Sequence, residues 1–342
     1  MGGETMTTKI FAGAAAFAAL SLAATLSQAA EYNIRVGNWN PNSNHAVVNA
    51  LNAWTEKIET ESDGRIEVSV DKAIIGKPAG QYDLIRQGVV QAGWGALAWT
   101  PGRFDLSQVI ELPFLSASGE EGSRKITEIW QENFADKEFT DTKLLALHVH
   151  APGALHTKVK VASLDDLKGQ KIRTLGSGVE WAEALGATAV VMPASKAHEA
   201  LARGVADGIL FPFDAIQSYR LEEILPYHLE VPNGLYTITF FFALNKEFYN
   251  SLPDDLRAVI DANSGPDLAA EIGRHWDQAA EVTYTALSED PGHEVSLASP
   301  EMMAELESRA STVFDAWKEI ATEKGVDADG ILAKLAATGS GQ

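Results

Sequence analysis

The same five-element pattern occurs twice in this chain, and that repetition limits the fold more than any single motif. Tyr32–Val36 alternates as a strand does, and Ala46–Ser62 carries Val47, Val48, Leu51, Trp54 and Ile58 at helical spacing. Asp63-Gly64 ends that helix, Arg65–Val70 alternates strictly, Gln81–Gln87 reads as a short helix, and Val89–Trp94 reads as a strand. A helix over Glu120–Phe134 and a strand over Leu144–Val149 follow. Beyond about residue 150 the pattern returns, with a strand at Lys171–Thr174, a helix at Gly178–Leu185 and a strand at Ala187–Met192. A helix at Ser195–Arg203 and an apolar run through Ile209–Phe213 complete it. Short connections between alternating elements imply mostly parallel sheets covered by helices, and hence two α/β domains of similar design. Leu235–Leu244 reads as a strand crossing a core. Helical spacing then runs from Leu256 to Leu287 with a bend or break at Gly265-Pro266, and two more helices lie at Pro300–Lys324 and Asp327–Ala337.

Charge and cysteine content narrow the function. A net charge of −20 and a pI near 4.8 argue against nucleic acid or an anionic membrane as partner. An anionic ligand would need a local positive site set against that field. With no cysteine, disulfides, thiolate metal centres, a cysteine nucleophile and lipid attachment through cysteine are all excluded. Lys9 precedes a run from Ile10 to Leu26 that is almost wholly apolar or small, and Ser27-Gln28-Ala29 follows. This predicts an export signal over residues 1–29, cleaved near Ala29 or Ala30, and a periplasmic protein.

Ser163–Thr174 (SLDDLKGQKIRT) joins a helix cap, a glycine turn and a short strand that bears a single arginine. Ser163 precedes an acidic turn with Asp165 and Asp166, as a helix N-terminus favours. Gly169 supplies the left-handed residue that ends the turn, and the strand that follows carries Arg173. A fixed arginine can meet a carboxylate with two parallel hydrogen bonds, or simply pair with a nearby acid. Trp39 lies at the end of the first strand, where open α/β sheets place ligands, and suits either a ligand contact or a ring folded onto the core. Trp94 ends the third strand, Trp99 and Arg103 come just after it, and the three fit a cleft wall or a packed loop equally. His148 and His150 share one face of a strand and His156 follows, but no third ligand has a matching spacing. No metal is expected, while His150 can line a pocket. Gly176 and Gly178 lack the third glycine or the lysine of a phosphate loop, and no Gly-x-Ser-x-Gly elbow marks a hydrolase.

Taken in order, several short motifs resemble the periplasmic solute-binding subunits of tripartite ATP-independent (TRAP) transporters, in their C4-dicarboxylate-binding branch. They are Gln87–Ala92, Leu112-Pro113-Phe114, Asp166–Gly169 with Lys171-Ile172-Arg173, Leu185–Thr188, Met192-Pro193, Gly204–Gly208, Leu244-Asn245-Lys246 and Leu252-Pro253. The resemblance spans essentially all of the chain beyond the export signal. It implies a binding protein and not an enzyme, with two hinged α/β domains around a ligand cleft, a long helix spanning both, and delivery of a small organic acid to a membrane permease. Domain I is expected at 30–149 with about 240–285, and domain II at 150–239 with about 286–342. Arg173 matches the family arginine that salt-bridges the ligand carboxylate. Two departures exchange polar ligand contacts for apolar ones: Leu155 replaces a second arginine and Phe211 an asparagine. The expected ligand is therefore a monocarboxylate with an apolar or aromatic body, held by Arg173, Trp39, Trp94, Trp99, Arg103, His150, Leu155, Phe211, Phe213 and Asp214. A C4-dicarboxylate, a sugar acid and a hydrolase are the competing readings. No cofactor is expected, and a monomer is favoured over a dimer.

Overall fold

The structure, a computed structural model, describes residues 30–39 and 45–336. The expected export signal lies outside them. In chain order β1 (Tyr32–Gly37), β2 (Ile66–Val70), β3 (Ala92–Ala96) and β4 (Thr142–Val149) belong to a first sheet. β5 (Ala154–Thr157), β6 (Lys171–Thr174), β7 (Thr188–Val191), β8 (Gly208–Phe211) and β9 (Tyr227–Glu230) belong to a second. β10 (Thr239–Asn245) returns to the first sheet and β11 (Glu294–Leu297) to the second. The first sheet runs β2-β1-β3-β10-β4 and the second β11-β9-β5-β8-β6-β7.

Each sheet is parallel except for one strand. β10 is antiparallel to β3 and β4, and β5 is antiparallel to β8 and β9. These are the strands the chain enters directly from the other sheet across the cleft, whereas β11 reaches the second sheet by way of a long helix and runs parallel to β9. The βα units run toward the cleft, so a strand that enters from the cleft side must run the opposite way. β3, β4 and β10 are buried almost throughout, which explains their near-continuous apolar sequence.

The helices cover the sheets as the apolar spacing requires. Helix His45–Glu61 buries Trp54 and Ile58. Helix Gly119–Asn133 is capped by Ser118, whose hydroxyl accepts from Glu121 N at 3.0 Å. Gly265 sits at φ 85°, a conformation that strains any residue with a Cβ, and breaks the helical run where sequence places the bend. The long helix Pro266–Glu289 follows. It packs on His45–Glu61, Gly119–Asn133 and β4 of the first domain, then on helix Phe213–Ser218 and β11 of the second. Its contact with helix Gly119–Asn133 is glycine on glycine: a Cβ on Gly273 would lie 2.1 Å from Gly119 O.

Two segments cross between the sheets. Gly153 N donates to Tyr236 O at 2.9 Å and Leu235 N to Gly153 O at 3.0 Å, so His150–Gly153 and Leu235–Ile238 run side by side. The run Leu235–Leu244 is thus a ladder strand only from Thr239, because its first four residues form this crossing. Glu111, from the first domain, braces the crossing: Oε1 accepts from Thr239 N at 2.9 Å and Oε2 from Ser177 N at 3.4 Å. The C-terminal helices differ from the expected assignment to domain II. In helix Pro300–Glu323, Arg309 donates to Ala184 O in the second domain while Trp317 Nε1 donates to Asp105 O in the first, each at 3.2 Å. Helix Ala328–Ala336 lies on the first domain, where Lys125 Nζ donates to Leu335 O at 3.0 Å and Lys334 pairs with Glu132. Burial of Trp317 and Leu335 on that side carries the tail back. Among the described residues no helix is long and apolar enough to cross a membrane.

Candidate functional site

The Ser163–Thr174 segment folds much as its sequence suggests. Asp166 accepts from the backbone N–H of Ser163 and of Ala162, both at 2.9 Å, over a 3-10 turn at Leu164–Leu167. Gly169 adopts φ 79° and turns the chain into β6. There Arg173 lies between Val190 of β7 and Ile209 of β8, with only 2 % of its surface exposed.

Arg173 is held in place by uncharged groups. Its Nε and Nη2 both donate to Met192 O, at 3.1 and 2.7 Å. The guanidinium carbon sits 4.6 Å from the centre of the Phe211 ring, and Phe211 stacks on Tyr219 at 5.6 Å and 17°. Burial lowers the guanidinium pKa, opposed by Tyr236 and Tyr219, with no carboxylate among the groups acting on it. Arginine has five N–H donors. Of the three hydrogens that remain, one on Nη2 and one on Nη1 form the edge away from Met192, which a carboxylate can meet with two parallel bonds, and the other on Nη1 points back toward Cδ.

Arg173 lines a cavity of about 210 Å³ between the sheets, below the ~300–1,000 Å³ of drug-sized pockets and so suited to a compact ligand. Of the residues expected in the site, Trp39, Trp99, His150, Arg173, Phe211 and Asp214 line it. His150 contributes its ring but not its polar atoms. Nδ1 lies 2.6 Å from Ala151 O and Nε2 accepts from Ile238 N at 3.1 Å, so the ring ties the two crossing segments together. Burial depresses its pKa to about 4, which keeps it neutral. Asp214 is 4 % exposed, and its Oδ1 has no hydrogen-bond partner. Burial raises its pKa to about 7, against the lowering effect of the Asp214 and Ala215 amides.

Four expected residues lie elsewhere. Trp94 packs behind the cavity wall, 4.4 Å from the Trp39 ring centre. Arg103 is outside, bound to Asp141 at 2.6 Å and lying over the Tyr82 ring. Leu155 is core, registered between Leu210 and Leu229, because alternation along β5 turns it away from the cleft. Phe213 packs against His156 and Tyr284, each at 5.0 Å, on the far side of its helix. His156 is separate from His148 and His150: it meets His228 at 2.7 Å, which meets His293 at 3.0 Å. No group of three or more His, Cys, Asp or Glu able to hold a metal is found among the described residues. Sequence reasoning missed Tyr219, Tyr236, Ile238, Phe240 and Trp276, other large side chains that form the interior wall between the two domains' contributions. Tyr236, Ile238 and Phe240 alternate along an extended run, and that periodicity was the available signal.

Two α/β domains crossed by paired segments, with a buried arginine aimed into an aromatic cavity between them, define a two-domain binding protein for a small anion. The profile of the bacterial extracellular solute-binding proteins, family 7, matches residues 37–320, and the chain belongs to that family. A TRAP periplasmic solute-binding protein of Bordetella bronchiseptica, with bound (R)- and (S)-mandelate, superposes with a TM-score of 0.84 at 30% identity, covering 89% of this chain and 98% of that one. A marine metagenome TRAP solute-binding protein specific for aromatic acid ligands, in complex with 3-hydroxybenzoate, gives 0.83 at 33% identity over 90% and 97%. A third, from Rhodoferax ferrireducens with copurified benzoate, gives 0.82 at 33% over 89% and 96%. A curated relative, the outer membrane transporter protein TsaT of Comamonas testosteroni, is 24% identical over 92% of this chain and 93% of its own. The protein is therefore a TRAP-type solute-binding protein and not an enzyme, of the class that binds small organic acids and works with membrane permease subunits.

Proposed function

We propose that the protein captures a small aromatic or apolar monocarboxylate in the periplasm and delivers it to its permease. Arg173 carries this reading: a buried cation with an unused donor edge, in a cavity whose remaining wall is mainly aromatic and aliphatic. A charge-assisted pair contributes about 1.5–3 kcal/mol, while micromolar affinity needs about 8 kcal/mol. Burial of an apolar body against Trp39, Trp99, Phe240 and Trp276 would supply much of the difference. A dicarboxylate would bring a second anion without a second cation to meet it, and a sugar acid would bring hydroxyls that apolar walls leave unpaired. The aromatic acids of the similar structures support the reading. We further propose that the chain acts as a monomer after cleavage near Ala29 or Ala30. Domain I would comprise 30–149 and about 240–285, and domain II 150–239 and about 286–299, with residues 300–336 bridging the two. Calorimetric titration tests the ligand class. Benzoate, phenylacetate and mandelate should bind at micromolar concentration or better, and succinate and glucuronate at least a hundredfold more weakly. Tight binding of succinate with none of the aromatic acids would overturn the proposal.

A further inference from the structure

The carboxyl of Asp214 is not used by carboxylate capture. It lies on helix Phe213–Ser218, in the cavity wall that also holds Arg173, yet no ion pair joins the two. Its Oδ1 is buried without a partner. An unsatisfied buried polar atom costs about 1–3 kcal/mol, and such atoms call for an explanation that a ligand group can provide.

The surrounding charges restrict what that group can be. Arg173 on β6 is the cation of the cavity. Tyr219, just beyond the helix, and Tyr236 on the crossing segment both feel Arg173 and Asp214 electrostatically; Tyr236 also feels Glu111, whose carboxylate oxygens accept from the amides of Thr239 and Ser177. His150 is neutral and tied to backbone. Asp277 of the long helix is occupied by the amides of Gly119 and Glu120, and Pro193, Ala194 and Ser195 bring no charge. One bound carboxylate neutralises Arg173. An ionised Asp214 would then be an unpaired anion in an apolar wall, whereas the protonated form is neutral and has a hydrogen to give.

We propose that Asp214 is a specificity residue which, as the neutral acid, donates a hydrogen bond to a hydroxyl on the body of the ligand, so that the preferred ligand is a hydroxylated aromatic monocarboxylate. This rests on the carboxylate reading of Arg173. It also makes capture pH-dependent. Burial places the Asp214 pKa at about 7. As pH rises through that value the donor is lost and an anion appears beside the ligand, so binding must take up a proton. Affinity should fall by up to tenfold per pH unit above about 7.

The test is titration calorimetry on wild type, Asp214→Asn and Asp214→Leu. The probes are the three hydroxybenzoates and mandelate, their parents benzoate and phenylacetate, and phenylalanine, from pH 6 to pH 8.5. On wild type at pH 6, at least one hydroxy acid should bind tenfold or more tighter than its parent. That ratio should drop to within twofold in Asp214→Leu and largely persist in Asp214→Asn, whose amide still donates. The alkaline loss should vanish in Asp214→Asn. A ratio unchanged in Asp214→Leu overturns the proposal, as does equal pH dependence in wild type and Asp214→Asn. Phenylalanine binding tighter than every hydroxy acid would also overturn it, because Asp214 would then act as an anion toward an ammonium. Wild type that binds the parent acids without hydroxyl preference defeats this inference alone. Wild type that binds no monocarboxylate defeats the carboxylate reading together with it.

Discussion

Replacing Arg173 by lysine keeps the charge and removes the shape, which isolates what the guanidinium contributes. In the native site one donor edge is committed to Met192 O at 3.1 and 2.7 Å, and the opposite edge is available for a carboxylate. An ammonium offers its three donors from a single point. One can take Met192 O and another one carboxylate oxygen, which leaves the second oxygen unpaired against Phe211 and its neighbours. The loss of one charge-assisted hydrogen bond costs about 1.5–3 kcal/mol. At ~1.4 kcal/mol per decade, Kd should rise roughly 10- to 150-fold. Titration with benzoate measures this directly. A melting temperature within about 3 °C of wild type would show that the fold is intact, since a cost of about 1 kcal/mol moves a domain of this size by roughly that much. Arg173→Ala, without any cation, should fold and bind no carboxylate measurably. A Kd for Arg173→Lys within threefold of wild type would refute bidentate recognition and leave Arg173 as no more than a source of positive charge.

Three further outcomes are expected. Arg103→Ala should leave ligand affinity within twofold of wild type, because its guanidinium faces Asp141 and Tyr82 outside the cavity; a tenfold loss by titration would place it back in the site. Gly153→Ala should destabilise the protein by about 1–3 kcal/mol in urea unfolding, as overpacking does, since a Cβ there would lie 2.2 Å from the Tyr236 ring; an unchanged midpoint would show that the crossing segments yield freely. Burial raises the pKa of Glu111 to about 7, opposed by hydrogen bonds from Thr239 and Ser177. Its folded value therefore lies above the unfolded ~4.3, so its stabilisation is complete below about pH 4 and lost as pH rises through 7. The melting temperature of wild type should accordingly fall relative to Glu111→Gln between pH 5 and pH 8, and a constant difference would contradict the assignment.

The sequence conveyed most of the scaffold because most elements carry their own period. β2 and helix His45–Glu61 could be read residue by residue. β5, β9 and β11 could not. Each is only four residues long and takes its conformation from neighbours distant in the chain, whereas the equally short β6 is announced by the capped turn and glycine before it. The site divides in the same way. Arg173 was legible because a capped turn and a glycine fix the strand that bears it. Leu155 and Phe213 fall outside the site for a different reason: neither a match to a family ligand position, in the case of Leu155, nor nearness in sequence to Phe211, in the case of Phe213, says which face of a strand or helix points inward here. Trp276 lies on a helix whose register against the cleft is set by the Gly119–Gly273 contact, which no local pattern announces.

His150, Tyr236 and Ile238 line the cavity and also belong to the paired segments that cross between the sheets. The pivot is thus part of the container. A ligand seated against these side chains presses on the joint itself, so news of occupancy has no distance to travel before the domains respond. Two acids of equal affinity can then differ as cargo, because the one that leaves this wall untouched fills the protein without bending it.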